Sequence, residues 1–381
     1  MFSSLLTRTD IEQDELRARL DLEFREILDR ALSGEELSVT QGERLLRAEG
    51  EELPALIRTA DEVRRRRVGE VVTYVVNRNL NFTNVCVGTC KFCAFRRSPG
   101  GPDAYVLTLE QMAAKVREAL AFGATEVCVQ GGLHPEFGLK NYLDILRTIR
   151  KIASNIHIHA FSPAELDHIA GREGVSIEEV IKTLRDTGLN SVPGTAAEIL
   201  VDRVRGIICP KKISTNRWVR IIKTCHRLCL PTTATILYGH VETPREQAQH
   251  LALIREVQRE TRGFTEFVPL AFVPGNTQLQ REGIVSSPPN LVESLRVHAV
   301  ARLMLTGYID NIQASWVKLG PQGAQLMLCA GANDLSGTLL EENITRAAGG
   351  EQQAMMPKQL KALIIQLRRT PRQRTTTYEF V

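Results

Sequence analysis

Asn84-Val85-Cys86-Val87-Gly88-Thr89-Cys90-Lys91-Phe92-Cys93-Ala94-Phe95 places three cysteines in a C-x3-C-x2-C hook, soon after an apolar, β-branched run at 71–76. Thiols this close together reach one metal centre only if the backbone loops around it, and Gly88 relieves the crowding in such a loop. A structural zinc site is normally completed by a fourth Cys or His and favours C-x2-4-C pairs. A 4Fe-4S cluster held by three thiolates instead keeps one iron open. The absent fourth ligand therefore predicts a cluster with Cys86, Cys90 and Cys93 on its irons. A zinc knuckle and three adjacent core cysteines are the plainer alternatives.

Around the hook the pattern is strand then helix, repeated. Strands are expected at 71–76, 126–129, 156–161, 189–192, 232–237, 266–272, 309–314 and 325–330, with helices at 109–122, 142–152, 163–170, 177–187, 245–261 and 291–305. Eight such units over about 270 residues predict an α/β fold of the TIM-type (β/α)8 barrel kind. An open dinucleotide-binding sheet would carry G-x-G-x-x-G after its first strand, and Gly131-Gly132 and Gly349-Gly350 lack that spacing. Three amphipathic helices (10–35, from 40, and 53–67) make residues 1–70 an N-terminal helical cap on a barrel at 71–340. Residues 341–381 add a C-terminal helix at 357–367 and an Arg/Thr-rich tail.

The chain has 381 residues, 43% of them hydrophobic, which is enough for a large core. A net charge of only +4 and 5% aromatic residues argue against nucleic acid as a partner, since Arg64 to Arg67 form the only dense basic run. No secretory pattern opens the sequence, and no apolar run approaches the roughly 20 residues that cross a bilayer. The expectation is a cytoplasmic protein without membrane contact, whose eight cysteines are thiols rather than a disulfide framework.

Barrels gather functional groups on loops at the carboxyl ends of strands. Those ends carry the hook, 130–134, His157 with His159, Glu198, 238–242, Asn311 with Gln313, and Asn333 with Asp334. Polarity there also arises because strands end in water. The hook resembles that of the radical S-adenosylmethionine (SAM) enzymes. The resemblance implies SAM on the open iron, Phe92 beside the adenine, Gly131 and Gly132 near its methionine part, and Gln130 and Glu198 as its polar contacts. Core packing for Phe92 and a helix-start role for Glu198 remain the alternatives.

Longer segments carry a closer likeness. Residues 73–86, Gln130-Gly131-Gly132-Leu133-His134-Pro135, 157–163, 193–200, Tyr238-Gly239-His240-Val241-Glu242-Thr243-Pro244, 266–272 and 331–335 together resemble the large subunit of F0 (deazaflavin) synthase, over roughly residues 25–380. That family is a 5-amino-6-(D-ribitylamino)uracil:L-tyrosine 4-hydroxyphenyl transferase of coenzyme F0 biosynthesis. The resemblance implies that a 5'-deoxyadenosyl radical takes hydrogen from the tyrosine amine. Cα–Cβ cleavage follows, and the 4-hydroxybenzyl fragment adds to C5 of the diaminouracil. It also implies a low-potential electron donor such as ferredoxin or flavodoxin, and a functional link to the other F0 synthase subunit. His134, His159 or His240 would keep the amine deprotonated, amides such as Asn333 suit a uracil edge, and Asp334 and Glu242 suit ribityl hydroxyls or an ammonium. Menaquinone-pathway radical SAM enzymes, of the dehypoxanthine futalosine cyclase or aminofutalosine synthase type, share the cysteine loop and 331–334 and stand as the alternative.

Overall fold

The computed structural model describes residues 19–350 and 354–381. Helices α1 (Leu22–Leu32), α2 (Val39–Leu46) and α3 (Glu52–Val68) come first. The expected first helix falls partly on 10–18, outside the described residues. Asp21 caps α1 by accepting from Phe24 N–H, and Ser38 with Gln41 forms a capping box on α2. Gly69, at φ +66°, stops α3.

The chain then runs β1 (Val71–Val75), β2 (Asn77–Asn81), α4 (Leu109–Ala121), β3 (Glu126–Gln130), α5 (Leu139–Ile152), β4 (His157–Ala160), α6 (Pro163–Glu173), α7 (Ile177–Asp186), α8 (Asp202–Ile208), α9 (Thr215–Arg227) and β5 (Thr232–Tyr238). It continues through α10 (Pro244–Thr261), β6 (Phe264–Ala271), α11 (Gln278–Arg281), α12 (Leu291–Leu305), α13 (Trp316–Leu328), β7 (Asp334–Gly337), α14 (Asn343–Ala347), α15 (Pro357–Gln366) and β8 (Thr370–Arg374). Helix α5 buries one face, packing Tyr142, Ile145, Leu146 and Ile149 in a single stripe, whereas α12 is buried nearly all round from Val297 to Leu305. Among the described residues no helix is long and apolar enough to cross a membrane.

All the ladders are parallel. They form sheets in the orders β7-β1-β8, β2-β3-β4 and β5-β6. Single parallel bridges, His159 to Ser191, Val192 to Thr232, Phe267 to Ile312 and Gln313 to Asp334, continue the order between the ladders. The sheet core is therefore partial and open, and corrects the closed (β/α)8 barrel predicted from spacing. Residues 189–192 and 309–314 supply only bridges. At the first of them, Asn190 Oδ1 takes the Ile158 N–H with its side chain, at 2.8 Å. The expected strand at 325–330 is mostly the end of α13, where Ala324, Met327 and Leu328 are buried at helical spacing. Full burial erased the alternation that would have told the two apart. Gly331, at φ +98°, turns the chain, and the strand follows as β7.

Strand parity places polar side chains inside. Asn77, Asn79 and Asn81 of β2, Glu126, Cys128 and Gln130 of β3, Thr233 and Thr235 of β5, and Glu266 of β6 line one internal chamber. The floor of that chamber is the C-terminal tail. β8 pairs with β1 from Val71↔Thr370 to Val75↔Arg374. Beyond it, Arg374 reaches Asp334 (2.5 Å) and Glu266 (3.1 Å), Thr376 donates to Glu126 (2.6 Å), and Tyr378 donates to Glu266 (2.5 Å). The partners Asp334 and Glu126 open their strands, and Glu266 lies near the start of β6, so the tail closes the amino-terminal end.

Candidate active site

The hook sits at the opposite, carboxyl end, where backbone from four regions holds it. Cys86 N–H donates to Arg97 O (3.0 Å), Val87 N–H to Leu133 O (2.9 Å) and Lys91 N–H to Ile208 O (2.8 Å), and Leu279 N–H donates to Lys91 O (3.0 Å). Beneath it Phe82 packs on Phe137, Tyr142 and Phe161, with ring centroids 5.8 to 6.3 Å away. A β-carbon on Gly88 would meet Cys86 Sγ at 3.1 Å and Cys90 Sγ at 4.0 Å, so both sulfurs flank that glycine. The three thiols are half-buried and share the wall of one cavity of about 270 Å³. Burial pushes Cys90 up to about 12, with Lys212 pulling the other way, and burial also raises Cys93. Among the described residues no group of three or more His, Cys, Asp or Glu is gathered to hold a metal ion.

Phe92, Gln130, Gly131, Gly132 and Glu198 line this same cavity. The glycines also matter for packing. A β-carbon on Gly132 would lie 2.2 Å from Val85 O and 2.8 Å from Cys86 Cβ, and one on Gly131 would lie 2.5 Å from the Phe82 ring. Their bareness seats the end of β3 against the hook. Glu198, at φ +45°, is engaged by Lys212, whose ammonium also lies 5.2 Å from the Phe92 ring centroid. Burial opposes the Lys212 charge, but Glu198 and the nearby thiols outweigh it and raise its proton affinity above that of an ordinary lysine.

Below this cavity the polar chamber, about 250 Å³, adjoins it, with Asn81, Gln130, Thr195, Leu270, Lys318 and Ile344 lining both. His159 lines the chamber, with Nδ1 2.6 Å from Ser191 Oγ, and burial lowers it to about 4 despite Glu126 beside it, which keeps it neutral. His134 lies outside both cavities, its ring against Phe137 at 4.3 Å and its Nδ1 accepting from Glu136 N–H. His240 and Glu242 line a separate pocket of about 390 Å³ with Pro288 and Pro289. Glu242 accepts there from Gly239 and His240 N–H and from Gln247, and despite burial the His240 ring and these donors hold it at about 2. Asn333 and Asp334 stand where β7 begins, not where a strand ends. Asn333 Oδ1 accepts from Arg302 and Ile312 N–H, both at 2.8 Å, and Asp334 from Thr73, Ser336 N–H and Arg374.

The sequence reading missed several groups. Glu165, which sits in a legible S-x-x-E capping box, also lines the cysteine cavity and accepts from Gly131 N–H at 3.1 Å. Burial pushes it up to about 7 against the donors from Ser162 and Gly131. Lys212, Lys318, Glu126, Glu266 and Arg374 carried no motif. Among the described residues, three buried polar atoms of wall residues, Asn81 Oδ1, Thr89 Oγ1 and Thr195 Oγ1, have no hydrogen-bond partner.

A model of the radical SAM superfamily matches residues 80–254, and one of the CofH/MqnC C-terminal region matches residues 261–381. The 5-amino-6-(D-ribitylamino)uracil–L-tyrosine 4-hydroxyphenyl transferase of Archaeoglobus fulgidus is 50% identical over 325 residues, covering 85% of this chain and 93% of its own. That of Methanopyrus kandleri is 47% identical over 356 residues, 93% of this chain and 96% of its own. Among solved structures, methylornithine synthase superposes with a TM-score of 0.72 at 20% identity, covering 91% of this chain and 97% of its own. The [FeFe]-hydrogenase maturase HydG gives 0.71 at 14%, covering 96% and 80%. At such identity these two speak for the fold alone. With 50% identity over 325 residues, covering 93% of a curated relative, the chain belongs to the radical SAM superfamily and, within it, to the family of these 4-hydroxyphenyl transferases.

Proposed function

We propose that this chain cleaves L-tyrosine and attaches its 4-hydroxybenzyl group to 5-amino-6-(D-ribitylamino)uracil, with SAM in the cysteine cavity and both substrates in the chamber beneath. The observation that carries the reading is a three-thiol cavity that shares six wall residues with a polar chamber. Half-buried thiols spread around Gly88, with unpartnered buried atoms on the lining residues Asn81 and Thr89, suit a multi-iron cluster and a polar ligand better than a single zinc ion. Cys86, Cys90 and Cys93 would hold the 4Fe-4S cluster, which when bound supplies the electron that converts SAM into methionine and the abstracting 5'-deoxyadenosyl radical.

The chain's own residues bind, orient and exclude water. Phe92, Phe95, Leu237, Leu270 and Phe272 give the cysteine cavity an apolar wall, which protects a radical from stray hydrogen donors. Lys212 holds Glu198 in place beside Phe92, leaving the second Glu198 oxygen for a ligand ammonium or ribose hydroxyl. In the chamber, neutral His159 and the Asn77, Asn79 and Gln313 amides offer donors and acceptors suited to a uracil edge and a ribityl chain. His159 is the one of the three candidate histidines positioned to influence a bound amine. A low-potential donor such as ferredoxin or flavodoxin, the other F0 synthase subunit as a working partner, and a cytoplasmic site where thiols stay reduced complete the proposal.

The test is anaerobic reconstitution with iron and sulfide, then dithionite and SAM. We expect 5'-deoxyadenosine release to depend on tyrosine and the diaminouracil together, with the hydroxybenzyl adduct detected by mass. Release that responds instead to a futalosine-type substrate would refute the assignment.

A further inference from the structure

Where the two cavities join, three polar groups lack partners. Lys318, on the first turn of α13, lines both cavities, and among the described residues no carboxylate comes within ion-pair distance of its ammonium. Glu342 and the Cys93 thiol are the acidic groups that act on it. The Glu342 oxygens are already taken by Asn79 Nδ2 and by the Ile344 and Thr345 N–H groups, each at 2.8 Å. Asn81 Oδ1 and Thr195 Oγ1, on the same shared wall, are buried without hydrogen bonds. A cation and two orphaned polar atoms on residues around one shared wall cost stability unless a partner reaches them.

We infer that Asn81, Thr195 and Lys318 seat the α-amino-acid head group of the tyrosine substrate, with the Lys318 ammonium on its carboxylate and Asn81 Oδ1 accepting from its amine. The inference rests on the tyrosine reading above and deepens it. Chemistry favours this location: the diaminouracil carries no acid group, and an amine that must give up hydrogen toward the cysteine cavity belongs at the junction. SAM also bears a carboxylate, so the test separates the two.

Lys318→Met is compared with wild type and Lys318→Arg in reconstituted protein, using tyrosine and tyramine, which lacks the carboxylate. We expect the KM for tyrosine to rise roughly 100-fold in Lys318→Met. The preference for tyrosine over tyramine should collapse, the KM for SAM should hold, and Lys318→Arg should restore part of the preference. A raised KM for SAM with the tyrosine preference intact, or no change in either, would overturn the inference. Equilibrium binding to wild type, loaded but not turning over, gives a readout independent of the variants: 3-(4-hydroxyphenyl)propanoate should bind far more tightly than 4-ethylphenol, and equal affinity would also overturn it. If tyrosine with the diaminouracil fails to stimulate wild-type deoxyadenosine release, the functional reading itself fails, whatever Lys318 does.

Discussion

Replacing Gly132 by alanine tests how the end of β3 seats the cysteine hook. The new methyl would lie 2.2 Å from Val85 O and 2.8 Å from Cys86 Cβ. Ordinary contact begins near 3.5 Å, so hook and strand end must part by about 1 Å. Neither neighbour is a flexible side-chain tip. The Val85 carbonyl belongs to the backbone leading into the first cysteine, and the Gly132 N–H is itself tied to Thr83 O at 2.9 Å. Overpacking of this kind costs about 1–3 kcal/mol, which a core of this size tolerates. Catalysis should suffer more, because a displacement of about 1 Å in a reacting group costs on the order of 100-fold in rate. The assay pairs iron content and cluster absorbance after reconstitution with the rate of 5'-deoxyadenosine release, at a temperature where circular dichroism shows the variant folded. Full iron loading with a wild-type rate would refute the claim that Gly132 sets the position of Cys86.

Three further outcomes follow from the same geometry. Cys90→Ala should leave the fold intact, since the thiol is only half-buried, but lower bound iron and abolish deoxyadenosine release; undiminished iron with activity would remove Cys90 from the ligand set. Arg374→Ala strips Asp334 and Glu266 of their buried cation and should cost about 3–5 kcal/mol in urea unfolding, whereas a change under about 1 kcal/mol would show the tail to be a loose appendage. Glu165 is held near 7 by burial, above its unfolded value near 4.5, so the native state keeps its proton longer and loses stability as pH rises from about 4.5 to 7, by up to roughly 3 kcal/mol. Glu165→Gln should therefore gain on wild type in melting temperature between pH 5 and pH 8, and a gap that stays constant would contradict the shift.

What the sequence revealed and what it hid have separate physical causes. The hook was legible because its spacing encodes its chemistry, Gly131-Gly132, Phe92 and Glu198 entered through the family resemblance, and all of them line one cavity. Strand order was legible for the runs that alternate or carry β-branched residues, such as 232–238. The eighth strand was misplaced because a buried apolar helix end reads like a strand, and this error carried Asn333 and Asp334 from the wrong end of a strand into the list of site candidates. β2 was overlooked because Asn-Arg-Asn-Leu-Asn has poor strand propensity, although its alternation puts every asparagine on the chamber face. Lys318 and Arg374 were invisible for another reason. The partners of Arg374 lie far away in the chain, and a lone lysine or a basic tail looks like solvated surface until the fold sets Lys318 at the cavity junction and Arg374 against Asp334 and Glu266.

The tail changes how the chamber is understood. Sequence makes residues beyond 340 an appendage, yet Arg374, Thr376 and Tyr378 supply the lower end of the space that the hook closes from above. Burial pushes Glu266 up to about 6 even with Arg374 beside it, so without that guanidinium the chamber floor would hold closely spaced acids with nothing to balance them. Such a floor would admit water or fold differently, and either would expose a radical generated above it. Radical chemistry that breaks carbon–carbon bonds is thus served by pairing β8 to β1 and turning Arg374, Thr376 and Tyr378 inward.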